Sequence, residues 1–86
     1  MLTMHFIVHG DVQGVGFRRT VQILAQKLHL VGYVRNQNDG SVEGFAQGSK
    51  QNLEALLSQI KDRFTIQNLK VDWDRTEAPF SEFSVY

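Results

Sequence analysis

Two stretches of this chain carry apolar residues at helical spacing on one side only. In the first, Val21, Leu24, Ala25 and Leu28 recur at i, i+3, i+4 and i+7, which predicts a helix over residues 17–30. In the second, Leu53, Leu56, Leu57, Ile60 and Phe64 form the clearest stripe of all, with Ser49 placed to cap the helix after Gly48. A helix striped in this way needs another layer to cover its apolar side. The segments between and around these two read as strands. Residues 4–9 are apolar-rich and end at Gly10. Residues 31–37 are β-branched and aromatic, and residues 41–47 follow them after Asp39-Gly40, a pair suited to a tight hairpin. Residues 66–74 alternate, with Leu69, Val71 and Trp73 on one face, and residues 80–86 alternate again, with Phe83 and Val85 together. Residues 75–79, which hold the only proline, read as a turn.

The order is βαββαβ plus a short C-terminal strand. Two helices on one face of an antiparallel sheet cover both stripes at once. This predicts an α+β, ferredoxin-like sandwich in a single domain over residues 1–86. That fold hosts unrelated functions, so the chemistry must be read from particular residues.

Composition narrows the classes. With no cysteine, disulfides, thiolate zinc sites, iron–sulfur clusters and cysteine nucleophiles are excluded. Nine basic residues balance nine acidic ones, which disfavours a dedicated nucleic-acid binder. No apolar run approaches the roughly 20 residues of a membrane span, and the first residues lack the basic-then-apolar pattern of a secretory signal. The expectation is a cytoplasmic protein, monomeric, with no membrane and no nucleic-acid partner. There is no internal repeat, charge block or low-complexity tract.

The segment Gly10-Asp11-Val12-Gln13-Gly14-Val15-Gly16-Phe17-Arg18 runs from a predicted strand into a predicted helix. Gly14 and Gly16 permit backbone angles that turn successive N–H groups inward, and the helix start adds unpaired donors. Arg18 then falls near the first turn, where a cation opposes the helix dipole unless an anion is bound. The pattern lacks the third glycine of a dinucleotide loop, since Arg19 stands there, and it lacks the Lys-Ser/Thr of a Walker loop. On these residues alone it is an anion cradle or a glycine turn followed by a surface arginine. Asn36 is open in the same way. Its amide can hold a water and a substrate together, and asparagine is also common beside turns for its local backbone bonds.

Two blocks narrow the choice. Val12-Gln13-Gly14-Val15-Gly16-Phe17-Arg18 resembles the acylphosphatase signature V-Q-G-V-x-F-R. Residues 32–43, Gly-Tyr-Val-Arg-Asn-Gln-Asn-Asp-Gly-Ser-Val-Glu, resemble the second signature of that family, G-x-V-x-N-x-x-D-G-x-V-E. One helix separates them, as in the family, and the resemblance covers nearly the whole chain. It weakens over residues 61–66, where many members have a Gly-Pro-rich turn and this chain does not.

The resemblance implies hydrolysis of an acyl phosphate to a carboxylate and inorganic phosphate, without cofactor or metal. It gives Arg18 the phosphate and Asn36 the attacking water as catalytic residues. It makes the loop Gly14, Val15, Gly16, Phe17 and Arg18 the substrate-binding segment, which inorganic phosphate or sulfate would also occupy. Domains of this kind also occur inside larger carbamoyl-phosphate-processing proteins, and the zinc-binding and catalytic segments of those proteins are not found in this sequence. A phosphate sensor without turnover is the neighbouring reading.

Other polar residues have plainer explanations. His5 and His9 share a strand face but lie about 13 Å apart, too far to chelate one metal. His29 belongs at a helix C-terminus. Arg19 and Arg35 read as solvated charges, Arg35 with a possible steering role towards anions, and Asp11 reads as a loop residue. Trp73, Phe64 and Phe83 read as packing residues. Gly44-Phe45-Ala46 faintly resembles an RNA-binding strand motif, but Glu43 occupies the position where that motif needs a base.

Overall fold

The computed structural model describes residues 2–74 and 80–86. Its elements are β1 (Leu2–Gly10), α1 (Phe17–Lys27), β2 (Val31–Asn36), β3 (Val42–Gly48), α2 (Lys50–Arg63), β4 (Ile66–Asp74) and β5 (Phe83–Val85). The sheet order is β4-β1-β3-β2-β5. The first four strands pair antiparallel, and β5 adds to the β2 edge in parallel, so the sheet is mixed. The ferredoxin-like α+β expectation holds, with that one change of strand direction.

Alternation along the strands builds the core. Met4, Phe6 and Val8 of β1 stand opposite Ala46, Gly44 and Val42 of β3, and all six are buried. Against them pack Val21, Leu24 and Ala25 of α1 and Leu53, Leu56 and Ile60 of α2, which are the predicted stripes. Gly44 has a packing reason: a Cβ there would run into the Phe6 ring. The α2 N-cap is Ser49, whose side chain accepts the Asn52 N–H at 3.2 Å.

The structure departs from the sequence reading at several points. Helix α1 stops at Lys27, because His29 takes a left-handed conformation with φ 56°. The Leu30 N–H then bonds the Ala25 carbonyl at 2.8 Å and the His29 N–H bonds Gln26 at 3.2 Å, a Schellman stop normally given to glycine. The β2–β3 connection is five residues long, not three, since β2 ends at Asn36 and β3 begins at Val42. Trp73 lies on the helix-side face of β4 yet is 44% exposed, since β4 is an edge strand and α2 covers it only partly. Phe64 and Phe83 do pack, Phe64 edge-on to Phe17 at 4.8 Å.

The C-terminal strand is shorter than the predicted 80–86. The chain leaves β4 at one sheet edge and pairs again at the other. Phe80, predicted to lie in the strand, instead packs on the helix-free face, with ring centroids 5.7 Å from Tyr33 and 6.4 Å from Phe45. The predicted turn at 75–79 lies outside the described residues.

Candidate active site

The loop between β1 and α1 is held open by its glycines. Gly14 and Gly16 sit at φ 75° and 77°, in the left-handed region, and nothing stands within 4 Å of where either Cβ would be. Backbone conformation, not crowding, asks for glycine here. Gly16 is also the N-cap of α1, with no side-chain cap and no acid in the first turn. Among the described residues, the main-chain donors from Gln13 to Arg19 find no hydrogen-bond acceptor, and the first helical bond is Thr20 N–H to Gly16 at 3.0 Å. A run of unpaired N–H groups at a helix start supplies the kind of donors that an anion can use.

Arg18 is already oriented. Its Nη1 donates to the main-chain oxygen of Tyr86 at 2.5 Å, and the Tyr86 N–H bonds the Val34 carbonyl at 2.9 Å. The guanidinium is thereby tied to β2, and its remaining N–H donors stay free to grip an anion. Gly14, Gly16, Phe17, Arg18, Arg19 and Val85 help to line a recess of about 160 Å³ at this point. Val15, at the loop tip, is 53% exposed.

Asn36 ends β2 opposite Val42 and is exposed, beside a polar recess shared with Arg35, Gln37 and Asn38. The hairpin beyond it is built on Ser41, which is fully buried. The Asp39 carboxylate accepts from the Ser41 N–H at 2.9 Å and from its hydroxyl at 2.5 Å. These bonds hold Asp39 below the usual carboxylate range. The same hydroxyl lies 2.8 Å from Gln37 Oε1, so its one proton is shared between two acceptors, Asp39 and Gln37.

One side chain joins the two signatures. Gln13 Nε2 donates to the Gln37 carbonyl at 3.0 Å and to the Ser41 carbonyl at 2.9 Å. The loop with its free donors is thus fastened to the hairpin that carries Asn36. The model of the acylphosphatase family matches residues 4–85. The chain belongs to that family. An acylphosphatase of Bacillus licheniformis is 40% identical over 88 residues, spanning 99% of this chain and 98% of its own. The crystal structure of acylphosphatase from Bacillus subtilis superposes with a TM-score of 0.95 at 36% identity, covering 100% of this chain and 99% of that one. An acylphosphatase from Coxiella burnetii gives 0.88 at 31%, covering 98% and 90%.

Seen as an acylphosphatase, the chain brings Arg18 and Asn36 to one end of the sheet, where the sequence had them in separate motifs. Gln13 stood inside the quoted signature without a role, and its two carbonyl acceptors lie 24 and 28 residues away, beyond any local pattern. The Tyr86 oxygen, 68 residues from Arg18, was equally invisible. Arg35 is exposed, as expected of a solvated charge, and is also paired. Its Nε donates to Glu43 at 2.7 Å, and Glu43 also meets His5 at 2.9 Å. Burial alone would raise the Glu43 carboxyl, but the hydrogen bonds and charges of His5 and Arg35 outweigh it and hold it below its ordinary value. Phe45 is stacked on His5 at 4.4 Å and flanked by Tyr33 and Phe80, so its ring is engaged within the protein. Among the described residues no cluster of three metal-ligating side chains occurs.

Proposed function

We propose that the loop 14–18 and the Arg18 guanidinium bind the phosphoryl group of an acyl phosphate, and that Asn36 holds the water that attacks it. The reaction of the family is hydrolysis of the carboxyl–phosphate bond. The water oxygen attacks phosphorus while the bond from phosphorus to the carboxyl oxygen breaks. The electron pair leaves with the carboxylate, and one water proton passes to a phosphoryl oxygen, giving dihydrogen phosphate. A carboxylate with a reference pKa near 4 leaves without protonation, so no general acid is required. What remains is positioning and charge stabilisation, the part that a fixed guanidinium and preorganised N–H donors supply.

The observation that carries this reading is the Gln13 junction, with bonds of 3.0 and 2.9 Å that set unpaired loop donors beside the Asn36 hairpin. The test is hydrolysis of benzoyl phosphate against an ordinary phosphate monoester. Turnover of the first and not the second is expected, with inorganic phosphate and sulfate as competitive inhibitors. Binding of phosphate with no hydrolysis of any acyl phosphate would make the domain a sensor and overturn the reading.

We read the reaction as metal-independent, because Arg18 and the loop donors supply the positive charge; activity is expected to survive a strong chelator. We place the protein in the cytoplasm as a single-domain monomer. The cysteine-free sequence suits a reducing compartment. Among the described residues no helix is long and apolar enough to cross a membrane. The long β4 edge exposes Gln67, Asn68, Lys70 and Asp72, polar and charged groups that discourage edge pairing with a second copy.

A further inference from the structure

The first turn of α1 holds two adjacent arginines and no acid. Arg18 is occupied by the Tyr86 oxygen and, in the reading above, by the phosphoryl group. Arg19 has no such employment, yet it lines the same recess. Its Nη1 donates to Gln22 Oε1 at 2.7 Å, and Gln22 Nε2 donates to the Phe83 carbonyl of β5 at 3.1 Å. The strand thus fixes which end of the Gln22 amide faces Arg19, since turning it over would set two donors against each other. Among the described residues Arg19 has no acidic partner, and only one of its five N–H donors is used. The result is an exposed guanidinium, held by Gln22 and without an ion-pair partner among the described residues, at the wall of the recess.

The geometry of the reaction says what reaches it. Attacking water and leaving oxygen lie roughly in line through phosphorus, so the acyl group points away from Asn36. No residue of the Asn36 hairpin lines this recess; Arg19 and Val85 do. The recess, about 160 Å³, runs from the glycines of the loop to Arg19 and Val85. A substrate whose phosphoryl group sits at Gly14, Gly16 and Arg18 therefore has Arg19 among the remaining residues of its lining.

We propose that Arg19 reads the far end of the substrate, and that the preferred substrates are acyl phosphates whose acyl group carries a second, distal carboxylate. The planar fork of arginine suits a carboxylate in two-point contact. This inference rests on the acyl-phosphate reading above and adds the substrate class to it.

The test compares kcat/KM for 3- and 4-carboxybenzoyl phosphate with that for benzoyl phosphate, using the full chain. These rigid acids cannot attack their own acyl phosphate. The expected result is a preference of roughly tenfold for at least one carboxylated substrate, the scale of one charge-assisted contact, expressed in KM. Arg19→Gln should bring the ratio close to one, Arg19→Lys should keep part of it, and high salt should narrow it. Loss on all substrates alike would make Arg19 a phosphate contact, and an unchanged ratio would make it a surface cation; either overturns the proposal. If the wild-type chain hydrolyses none of the three, the failure lies with the reaction itself and not with the role of Arg19.

Discussion

The side-chain amide of Gln13 donates to the main-chain oxygen of Ser41 at 2.9 Å, across 28 residues of sequence. Together with its bond to Gln37, this contact makes the hairpin that carries Asn36 and the glycine loop one unit. Gln13→Leu keeps the bulk and removes both bonds. We expect a stability loss of about 1–3 kcal/mol, the sum of two ordinary hydrogen bonds. Turnover should fall more than phosphate affinity, because the loop donors survive while Asn36 loses its registration. Urea unfolding with kcat and the phosphate inhibition constant checks this. An equal fall in both kinetic quantities would make Gln13 a general support for the loop.

Arg18 and Asn36 should fail differently. Arg18→Ala removes the guanidinium held by Tyr86, so phosphate affinity and turnover should both drop. Asn36→Ala should leave phosphate inhibition near the wild-type value while turnover falls by about 10²–10³, the usual effect of deleting one preorganised donor. Steady-state kinetics with phosphate as inhibitor separates the two. An Arg18→Ala variant with wild-type activity would remove that residue from the site.

His29 holds a left-handed conformation at φ 56° to end α1. A side chain there costs about 1–2 kcal/mol that glycine does not. His29→Gly should therefore stabilise the protein by about 1 kcal/mol and raise Tm by about 4–8 °C, as expected for a domain of this size. Activity should be unchanged, since the residue lies beyond the far end of α1 from the loop. Thermal unfolding of the single variant decides it.

Glu43 bridges His5 and Arg35, and its carboxyl is held below the ordinary glutamate value. A carboxyl lowered on folding stabilises the protein above its unfolded pKa, and that contribution is lost as pH falls through the folded one. Glu43→Gln should cost up to about 1 kcal/mol at pH 7, where Arg35 is still half-exposed and screened. The gap between variant and wild type should close below about pH 4. Denaturant unfolding across the acid range measures it; a gap that widens in acid would reverse the assignment.

Much of the fold was legible because its signals are local. The stripes Val21-Leu24-Ala25 and Leu53-Leu56-Ile60 needed a cover, and alternation in Met4, Phe6 and Val8 provided it. Ser49 announced its own helix. The misreadings have two causes. The placing of Phe80 and the exposure of Trp73 depend on what lies across space, whereas the end of α1 is a local stop made by a histidine in a conformation that usually calls for glycine.

The sequence by itself determined the two helices, the four strands that cover them, the glycine loop and the identity of the two signature blocks. Each rests on spacing within a window of a dozen residues or fewer, where backbone preference and hydrophobic period act. Tertiary structure alone decided that β5 runs parallel to β2, that Gln13 finds Gln37 and Ser41, that Tyr86 aims Arg18 and that Gln22 aims Arg19. Those hydrogen bonds are directional and short in reach, so their partners exist only once packing has brought distant carbonyls within about 3 Å.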